Sequence, residues 1–235
     1  MVCLVTGSSR GLGKSIALAF GKRGNRVAVH YKDRKHDAES VASQIRESLV
    51  LQADVKEAQE VKTLIDKIIE EWGTIDLLVN NAGITKESLL IKTSENDFDD
   101  VVNTNLKGAF LLTRTVASHM MKKRSGQIIN ISSFAGLKGK QGLSVYSAAK
   151  AGLLGLTRTS AIELSRYNIM VNAVLPGYML TDMGSCSTEI AKEEALQGSL
   201  IKKYSKPDDV AEFICFLSER KGITGQVFNL DSRIV

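Results

Sequence analysis

Short β-branched runs alternate with long amphipathic stretches along the whole chain. Apolar side chains in the long stretches recur at helical spacing. Strands and helices that alternate in this way are typical of a parallel sheet whose strands are joined by crossover helices. The alternation therefore predicts an α/β fold, a Rossmann-type doubly wound sheet of seven parallel strands with helices on both faces.

The predicted elements cover most of the chain. Strands are expected near 2–6, 26–31, 49–53, 75–80, 126–132, 169–175 and 226–230, and helices near 11–23, 36–47, 57–72, 97–123, 145–166 and 207–219. The segment from about 182 to 204 is the least regular, and we expect a lid of short helices there. Because no linker or repeat interrupts the 235 residues, residues 1–235 are expected to form a single domain.

Composition excludes several classes of function. The net charge is +5, but the basic residues are scattered among 26 acidic ones, so no nucleic-acid partner is expected. Cys3, Cys186 and Cys215 lie far apart in the sequence, which favours free thiols over a disulfide framework or a metal site. No apolar run approaches membrane-spanning length and no secretion leader is recognisable, so a cytoplasmic protein without a membrane partner is expected.

Glycines join the first predicted strand to the first helix, in the pattern Thr6-Gly7-x-x-x-Gly11-x-Gly13. Glycines at such a junction let backbone N–H groups approach a pyrophosphate at the positive end of the helix. The spacing differs from the common Gly-x-Gly-x-x-Gly dinucleotide pattern. A tight turn without a ligand is therefore the alternative interpretation.

The end of the second predicted strand favours NADP(H) over NAD(H). An acidic residue there would accept a hydrogen bond from the ribose 2′-hydroxyl, whereas a 2′-phosphate needs cations. Neutral His30 and Tyr31 occupy this position, and positive charge is available from Arg10, Lys32 and Arg34. An exposed loop is the alternative interpretation for Lys32 and Arg34.

Tyr146 and Lys150 are four positions apart in a predicted helix, so they project from one face. An ammonium near a tyrosine favours the phenolate and lowers its pKa, which would let Tyr146 act as an acid and base near neutral pH. Ser133 directly follows a predicted strand and could donate to the same substrate oxygen. Each residue alone has an ordinary structural explanation; the combination predicts reduction of a carbonyl group.

In these motifs the chain resembles the short-chain dehydrogenase/reductase family. The resemblance is carried by the following residues: Thr6-Gly7, Gly11, Gly13, Asp54-Val55, Asn80-Asn81-Ala82-Gly83, Asn105, Ser133, Tyr146, Lys150 and Pro176-Gly177. It implies a catalytic tetrad of Asn105, Ser133, Tyr146 and Lys150, in which Asn105 holds a water that relays protons through Lys150. It further implies that Asp54 and Val55 flank the adenine and that Asn81 braces the central strand.

Residue patterns and resemblance together give the expected cofactor site. Its residues are Gly7, Ser9, Arg10, Gly11, Leu12, Gly13, Tyr31, Lys32, Asp54, Val55, Asn81, Ala82, Gly83, Tyr146, Lys150, Pro176, Gly177 and Thr181. No metal ligands are expected.

Within the family the chain is most similar to 3-oxoacyl-acyl-carrier-protein reductases, in residues 144–153, 171–178 and 181–183. This resemblance implies an NADPH-dependent enzyme of fatty-acid or polyketide biosynthesis, a homotetramer, and an acyl-carrier-protein-bound or thioester substrate. Arg124 matches a position that docks the carrier protein, but a second docking arginine is replaced by Tyr167, with Arg166 adjacent. Residues 200–206 and Asp231-Ser232-Arg233 also depart from the subfamily, which usually has Asp-Gly-Gly near the C-terminus.

Two other functions stay open from the sequence. Because the tetrad is shared across the family, the substrate could instead be a sugar, steroid or xenobiotic carbonyl. A nucleotide-sensing or nucleic-acid-binding protein without turnover is the alternative outside enzymes, although the presence of Ser133, Tyr146 and Lys150 argues against it. Acyl chain length and metabolic role are not determined by the sequence.

Overall fold

The computed structural model describes residues 1–181 and 189–233. Its sheet has seven strands, all parallel, in the order β3-β2-β1-β4-β5-β6-β7. The strands are β1 (Val2–Val5), β2 (Arg26–Tyr31), β3 (Ser48–Gln52), β4 (Leu77–Asn80), β5 (Gly126–Ile131), β6 (Ile169–Leu175) and β7 (Val227–Asn229). The predicted doubly wound Rossmann-type sheet is confirmed.

Helices cover both faces of this sheet. In the described residues they are α1 (Gly11–Lys22), α2 (Lys35–Ala42), α3 (Ala58–Trp72), α4 (Glu95–Val102), α5 (Gly108–Lys123), α6 (Ala135–Lys138), α7 (Ser144–Ser165), α8 (Glu189–Gly198) and α9 (Pro207–Ser218). A short 3₁₀ turn covers Leu90–Lys92. None of the described helices is long and apolar enough to cross a membrane.

Two apolar layers fill the space between the sheet and the helices. Phe20 of α1 and Ile214 of α9 are fully buried in one layer, and Leu64 of α3 and Met120 of α5 are buried in the other. Every residue of β1, β4, β5 and β6 is buried, as expected for strands covered on both faces. A site can therefore form only beyond the strand ends, from loops and from the helices that follow them.

The helix predicted over 97–123 is interrupted. A π-helical turn over Asn103–Lys107 separates α4 from α5, because the chain there turns to pair Asn105 with the loop after β4. Single π turns inside helices are frequent at functional sites. The predicted helix over 36–47 also ends earlier, at Ala42, where the backbone N–H groups of Gln44 and Ile45 close tight turns.

The expected lid falls partly outside the described residues, since 182–188, including Cys186, are not among them. The remainder contains α8 and an irregular stretch up to α9. Cys3 and Cys215 are both buried free thiols.

Candidate active site

The strand order reverses between β1 and β4, and ligands bind at such a switch point beyond the carboxyl ends of the strands. A cavity of about 660 Å³ lies there. Every residue predicted to contact the cofactor lines this cavity, and so does Ser133. Asn105 is buried behind the wall, with 1% of its surface exposed.

The glycine loop needs its glycines for two different reasons. Gly7 and Gly11 have φ of +62° and +54°, a left-handed conformation that side chains disfavour. At Gly13 a Cβ atom would lie 2.3 Å from the Gly7 carbonyl oxygen and 2.5 Å from Asn81 Nδ2. The N-terminus of α1 is thereby pressed against the loop, so the backbone of both can reach a bound anion.

Asn81 and Thr6 attach the glycine loop to the end of β4. The Asn81 amide donates to the carbonyls of Thr6 (2.9 Å) and Gly7 (3.2 Å). The Thr6 hydroxyl accepts from the backbone N–H groups of Asn81 and Ala82 and lies 3.2 Å from the Val79 carbonyl. Asn81 therefore braces the loop that bears the glycines.

His30, near the carboxyl end of β2, also fixes the glycine loop. Its Nδ1 accepts from the Gly7 N–H at 2.9 Å, and its Nε2 donates to the Ala53 carbonyl at 3.0 Å, which requires the neutral tautomer protonated on Nε2. Burial lowers the pKa of His30 to about 4, despite the hydrogen bond to Ala53 and the charge of Asp54. The sequence indicated only that His30 is neutral; no local pattern predicts a bond across two strand ends.

The predicted cationic end of the cavity contains an ion pair. Lys32 Nζ lies 2.9 Å from Asp54 Oδ2. Burial opposes the ionisation of Asp54, but Lys32 and the Lys56 N–H together hold its pKa below the ordinary value. Lys32 is half-exposed and Arg10 exposed, and both line the cavity with Arg34.

Tyr146, Ser133 and Lys150 meet at the carboxyl end of β5. The hydroxyls of Tyr146 and Ser133 are hydrogen-bonded to each other. Lys150 Nζ donates to the Ile131 carbonyl at 2.7 Å and lies 5.6 Å from the centre of the Tyr146 ring. The structure thus brings together the side chains that the sequence predicted to act on one oxygen.

The pKa of Tyr146 differs from the expectation. Burial raises it, and the hydrogen bond to Ser133 opposes this only in part. Lys150 lies beside the ring, and its own desolvation lowers its pKa to about 8. The net direction for Tyr146 is therefore opposite to the predicted lowering, because burial of its hydroxyl outweighs the groups that favour the phenolate.

Asn105 is fixed by the loop after β4. Its Oδ1 accepts from the Ile84 N–H at 2.8 Å and its Nδ2 donates to the Ile84 carbonyl at 2.9 Å. A Cβ on Gly83 would lie 3.1 Å from Asn105 Oδ1 and 3.6 Å from Lys150 Nζ, so all three residues are close neighbours. These two bonds fix the orientation of the Asn105 amide, and each of its polar atoms keeps a second hydrogen-bonding position.

A buried amide chain beneath the site was not predicted. Asn80 Nδ2 donates to Asn130 Oδ1 (2.8 Å) and Thr113 Oγ1 (3.0 Å), and Asn130 Nδ2 donates to Thr157 Oγ1 (2.9 Å). These bonds tie β4 and β5 to α5 and α7. Asparagines at the ends of two otherwise apolar strands were the available signal, and the register pairs them directly.

Sequence reasoning also missed other residues that line the cavity, among them Phe134, Glu194 and Arg233. Phe134 follows Ser133 and leads into α6, a helix that the sequence pattern did not predict. Gly136 of α6 packs so tightly on α7 that a Cβ there would lie 2.8 Å from the Lys150 backbone carbon. Glu194 belongs to α8, and Arg233 lies near the C-terminus.

Comparison with known proteins agrees with this geometry. The family described as short chain dehydrogenase matches residues 1–191. The chain belongs to the short-chain dehydrogenase family. The resemblance drawn from the motifs is confirmed, and the protein is an oxidoreductase of a family that uses nicotinamide cofactors.

Several relatives of this short-chain dehydrogenase carry a more specific name. A "3-oxoacyl-[acyl-carrier-protein] reductase FabG" of Staphylococcus epidermidis is 42% identical, covering 97% of this chain and 96% of its own. A "3-oxoacyl-[acyl-carrier-protein] reductase" of Synechocystis sp. is 43% identical, covering 100% and 96%. A protein of Thermotoga maritima, named like the first, is 39% identical, covering 100% and 97%.

Proposed function

We propose that the protein reduces a 3-oxoacyl thioester, bound to acyl carrier protein, to the 3-hydroxyacyl thioester with NADPH. The observation that carries this proposal is the meeting of Ser133, Tyr146 and Lys150 at the end of the cavity whose other end is formed by the glycine loop. The relatives named 3-oxoacyl-[acyl-carrier-protein] reductase, which align over nearly the whole chain, support the substrate class.

The cavity fits a nicotinamide dinucleotide. Gly7, Gly11 and Gly13 carry no Cβ atoms, so a pyrophosphate can closely approach the backbone N–H groups at the start of α1. Lys32 and Arg10 supply positive charge for a 2′-phosphate, which supports NADP(H) over NAD(H). When bound, the nicotinamide supplies the hydride that reduces the carbonyl carbon.

The chain's own residues handle the oxygen and the proton. Ser133 and Tyr146 would both donate to the carbonyl oxygen, and Tyr146 would release its proton as the oxygen gains negative charge. Lys150, with a pKa of about 8, is protonated at neutral pH and would stabilise the phenolate left behind. Asn105 would hold a water that relays protons through Lys150.

Arg124 and Arg166 are proposed to dock the acidic carrier protein. Their guanidinium carbons lie 5.9 and 4.9 Å from the centre of the Tyr167 ring, and Arg124 also donates to the Arg166 carbonyl at 2.8 Å. The tyrosine that replaces an arginine of the subfamily thus holds two arginines in one exposed cluster. Such a cluster suits an acidic partner through long-range attraction.

Three further expectations stay proposals. We propose that residues 1–235 form one domain, supported by a single sheet that extends to β7 near the C-terminus. A homotetramer is supported by exposed apolar residues on the two long helices, with Phe110 of α5 44% and Ile162 of α7 77% exposed. A cytoplasmic location stays a prediction.

The proposal is tested by following NADPH absorbance with an acetoacetyl thioester. Tyr146→Phe should lower kcat by about 10²–10⁴-fold, since general acid catalysis contributes that much. Tyr204→Phe is the matched control, because its hydroxyl makes only a 3.4 Å contact with the Lys192 carbonyl outside this cluster. No turnover by the unaltered protein, or equal rates with Tyr146→Phe, would contradict the proposal.

A second candidate, reduction of a different small carbonyl, is favoured by the departure at Asp231-Ser232-Arg233. A bulky, charged segment replaces the subfamily's glycines and reaches the cavity. Carrier dependence distinguishes the two functions. Stimulation by acyl carrier protein that is lost in Arg124→Glu supports the first, and equal rates with a free ketone support the second.

A further inference from the structure

The C-terminal segment places an arginine in the wall of the cavity. Arg233 Nε donates to Asp231 Oδ1 at 2.9 Å, and its Nη2 donates to Asp231 Oδ2. The guanidinium carbon lies 4.4 Å from the centre of the Phe134 ring. Phe134 follows Ser133 in the chain and both line the cavity, so the arginine belongs to the wall of the cavity that contains the proposed reaction centre.

The side chain of Arg233 is mostly enclosed, and its segment is held by several contacts. Only 18% of its side chain and 3% of that of Asp231 are exposed. Ser232 bonds the end of α8, with 2.6 Å between its hydroxyl and that of Ser199, and the Leu200 N–H donates to its carbonyl. The segment and α8 therefore form one wall.

Part of the guanidinium is left for a ligand. Arginine carries five N–H donors in a planar fork, and the pair with Asp231 uses the edge that contains Nε. The Nη1 donors on the other side form no hydrogen bond with any residue in 1–181 or 189–233. The arginine can thus donate to an oxygen that enters the cavity.

The surrounding charges determine which kind of ligand can supply that oxygen. Asp231 already balances the charge of Arg233, and Glu194 of α8 lines the same cavity, so a second anion would be repelled. A long aliphatic chain would displace water from the exposed part of the guanidinium without replacing the lost hydrogen bonds, which is costly. A short acyl chain, or one that carries a neutral oxygen, avoids both costs.

We propose that Arg233 is a specificity-determining residue that makes the cavity favour short or oxygen-bearing 3-oxoacyl chains over long aliphatic ones. This inference rests on the proposed function and names the substrate class within it. Asp231 and Phe134 are positioning residues that hold the guanidinium at the wall.

The test compares kcat/KM for N-acetylcysteamine thioesters with NADPH. The unaltered protein should prefer acetoacetyl over 3-oxodecanoyl, and 5-hydroxy-3-oxohexanoyl over 3-oxohexanoyl, each by about tenfold or more. Arg233→Met, which keeps the length and removes the charge, should reduce both preferences to about twofold or less. Arg233→Lys keeps the charge without the fork and should fall between the two.

Arg220→Met is the matched control. Arg220 also lies over a phenylalanine ring, 4.3 Å from the centre of Phe216, and beside an acidic residue, Glu219, but it does not line the cavity. Arg220→Met should therefore show the same substrate preferences as the unaltered protein. Turnover of acetoacetyl thioester with unchanged preferences in Arg233→Met would overturn this inference alone, whereas no turnover of any thioester by the unaltered protein would overturn the proposed function and this inference with it.

Discussion

The two ends of the cavity are built in different ways. At the glycine-loop end, side chains from neighbouring strand ends bond backbone groups of one short loop. They are Thr6 and His30, which are buried, and Asn81, which is partly buried. At the other end, which we call the mouth, the wall consists of the end of α8 and the C-terminal segment 231–233. These two segments meet through a partly buried hydrogen bond between Ser199 and Ser232, which are 33 positions apart in the chain. The glycine-loop end is therefore bonded directly to strand ends of the sheet, whereas the mouth is formed by segments outside the sheet.

This difference separates cofactor binding from substrate choice. The loop end cannot change without disturbing β1, β2 and β4, because its bonds use their backbone groups. The mouth can change within a few residues of the C-terminus, as Asp231-Ser232-Arg233 illustrates. We therefore expect variants at the loop end to cost stability and cofactor affinity, and variants at the mouth to alter mainly the choice of substrate.

The largest effect on stability is expected from the titration of His30. Its pKa is about 4 in the fold and about 6.5 in an unfolded chain. Between these values the unfolded chain binds a proton that the folded chain does not. Stability contributed by neutral His30 is therefore lost as pH falls from about 6.5 to 4, by about 3 kcal/mol.

Urea unfolding between pH 7 and 4 measures this loss. His30→Asn should flatten the pH dependence over that range. His36→Gln should leave it unchanged, because the side chain of His36 is 99% exposed. If the unfolding free energy of His30→Asn falls with pH as steeply as that of the unaltered protein, titration of His30 does not cause the loss of stability.

Gly13→Ala should come next in size. Its Cβ would meet backbone and an anchored amide, so overpacking should cost about 1–3 kcal/mol of unfolding free energy and weaken NADPH binding. Gly222→Ala should act in the opposite sense, raising stability by about 0.4–1 kcal/mol, since this exposed glycine has no atom within 4 Å of a Cβ and lies outside the two long helices. Thermal unfolding with and without NADPH separates the two; equal effects would mean that the loop tolerates a methyl group.

Ser232→Ala sharpens the comparison at the mouth. Loss of its 2.6 Å bond to Ser199 should lower stability by about 1 kcal/mol and leave NADPH affinity unchanged. Ser118→Ala, which removes an exposed bond within α5, should change stability by less than about 0.5 kcal/mol. A weakened NADPH affinity in Ser232→Ala would show that the two ends are coupled.

The smallest effect is expected at Lys32. Lys32→Ala should lower the preference for NADPH over NADH by about threefold to fivefold, because half-exposed charge pairs contribute about 1 kcal/mol or less. Lys35→Ala removes a neighbouring lysine that pairs with Glu39 and does not line the cavity, and it should leave the preference unchanged. An unaltered preference in both variants would leave Arg10 and Arg34 as the cations to test.

Much of the fold and cavity was predictable because the signals are local. All seven strands lie within a few residues of their predicted positions, and Ser133, Tyr146 and Lys150 were found from their place after a strand or their helical spacing. The break at Asn103–Lys107 was not predictable. Asn103, Thr104 and Asn105 are weak helix formers, but they do not specify a π turn. The partner of Asn105 is Ile84, 21 positions earlier, so the cause of the break is not local.

The sequence by itself determined the order of strands and helices, the glycine loop and the combination of Ser133, Tyr146 and Lys150, because periodicity and short spacings are properties of neighbouring residues. Tertiary structure alone decided that His30 supports Gly7, that Lys150 bonds Ile131 while the Tyr146 pKa is raised, and that Arg233 reaches the cavity. Each of these depends on burial, or on contacts between segments that only the folded sheet brings together. Desolvation and long-range hydrogen bonds leave no mark in local sequence, since their strength is set by what surrounds a group in space.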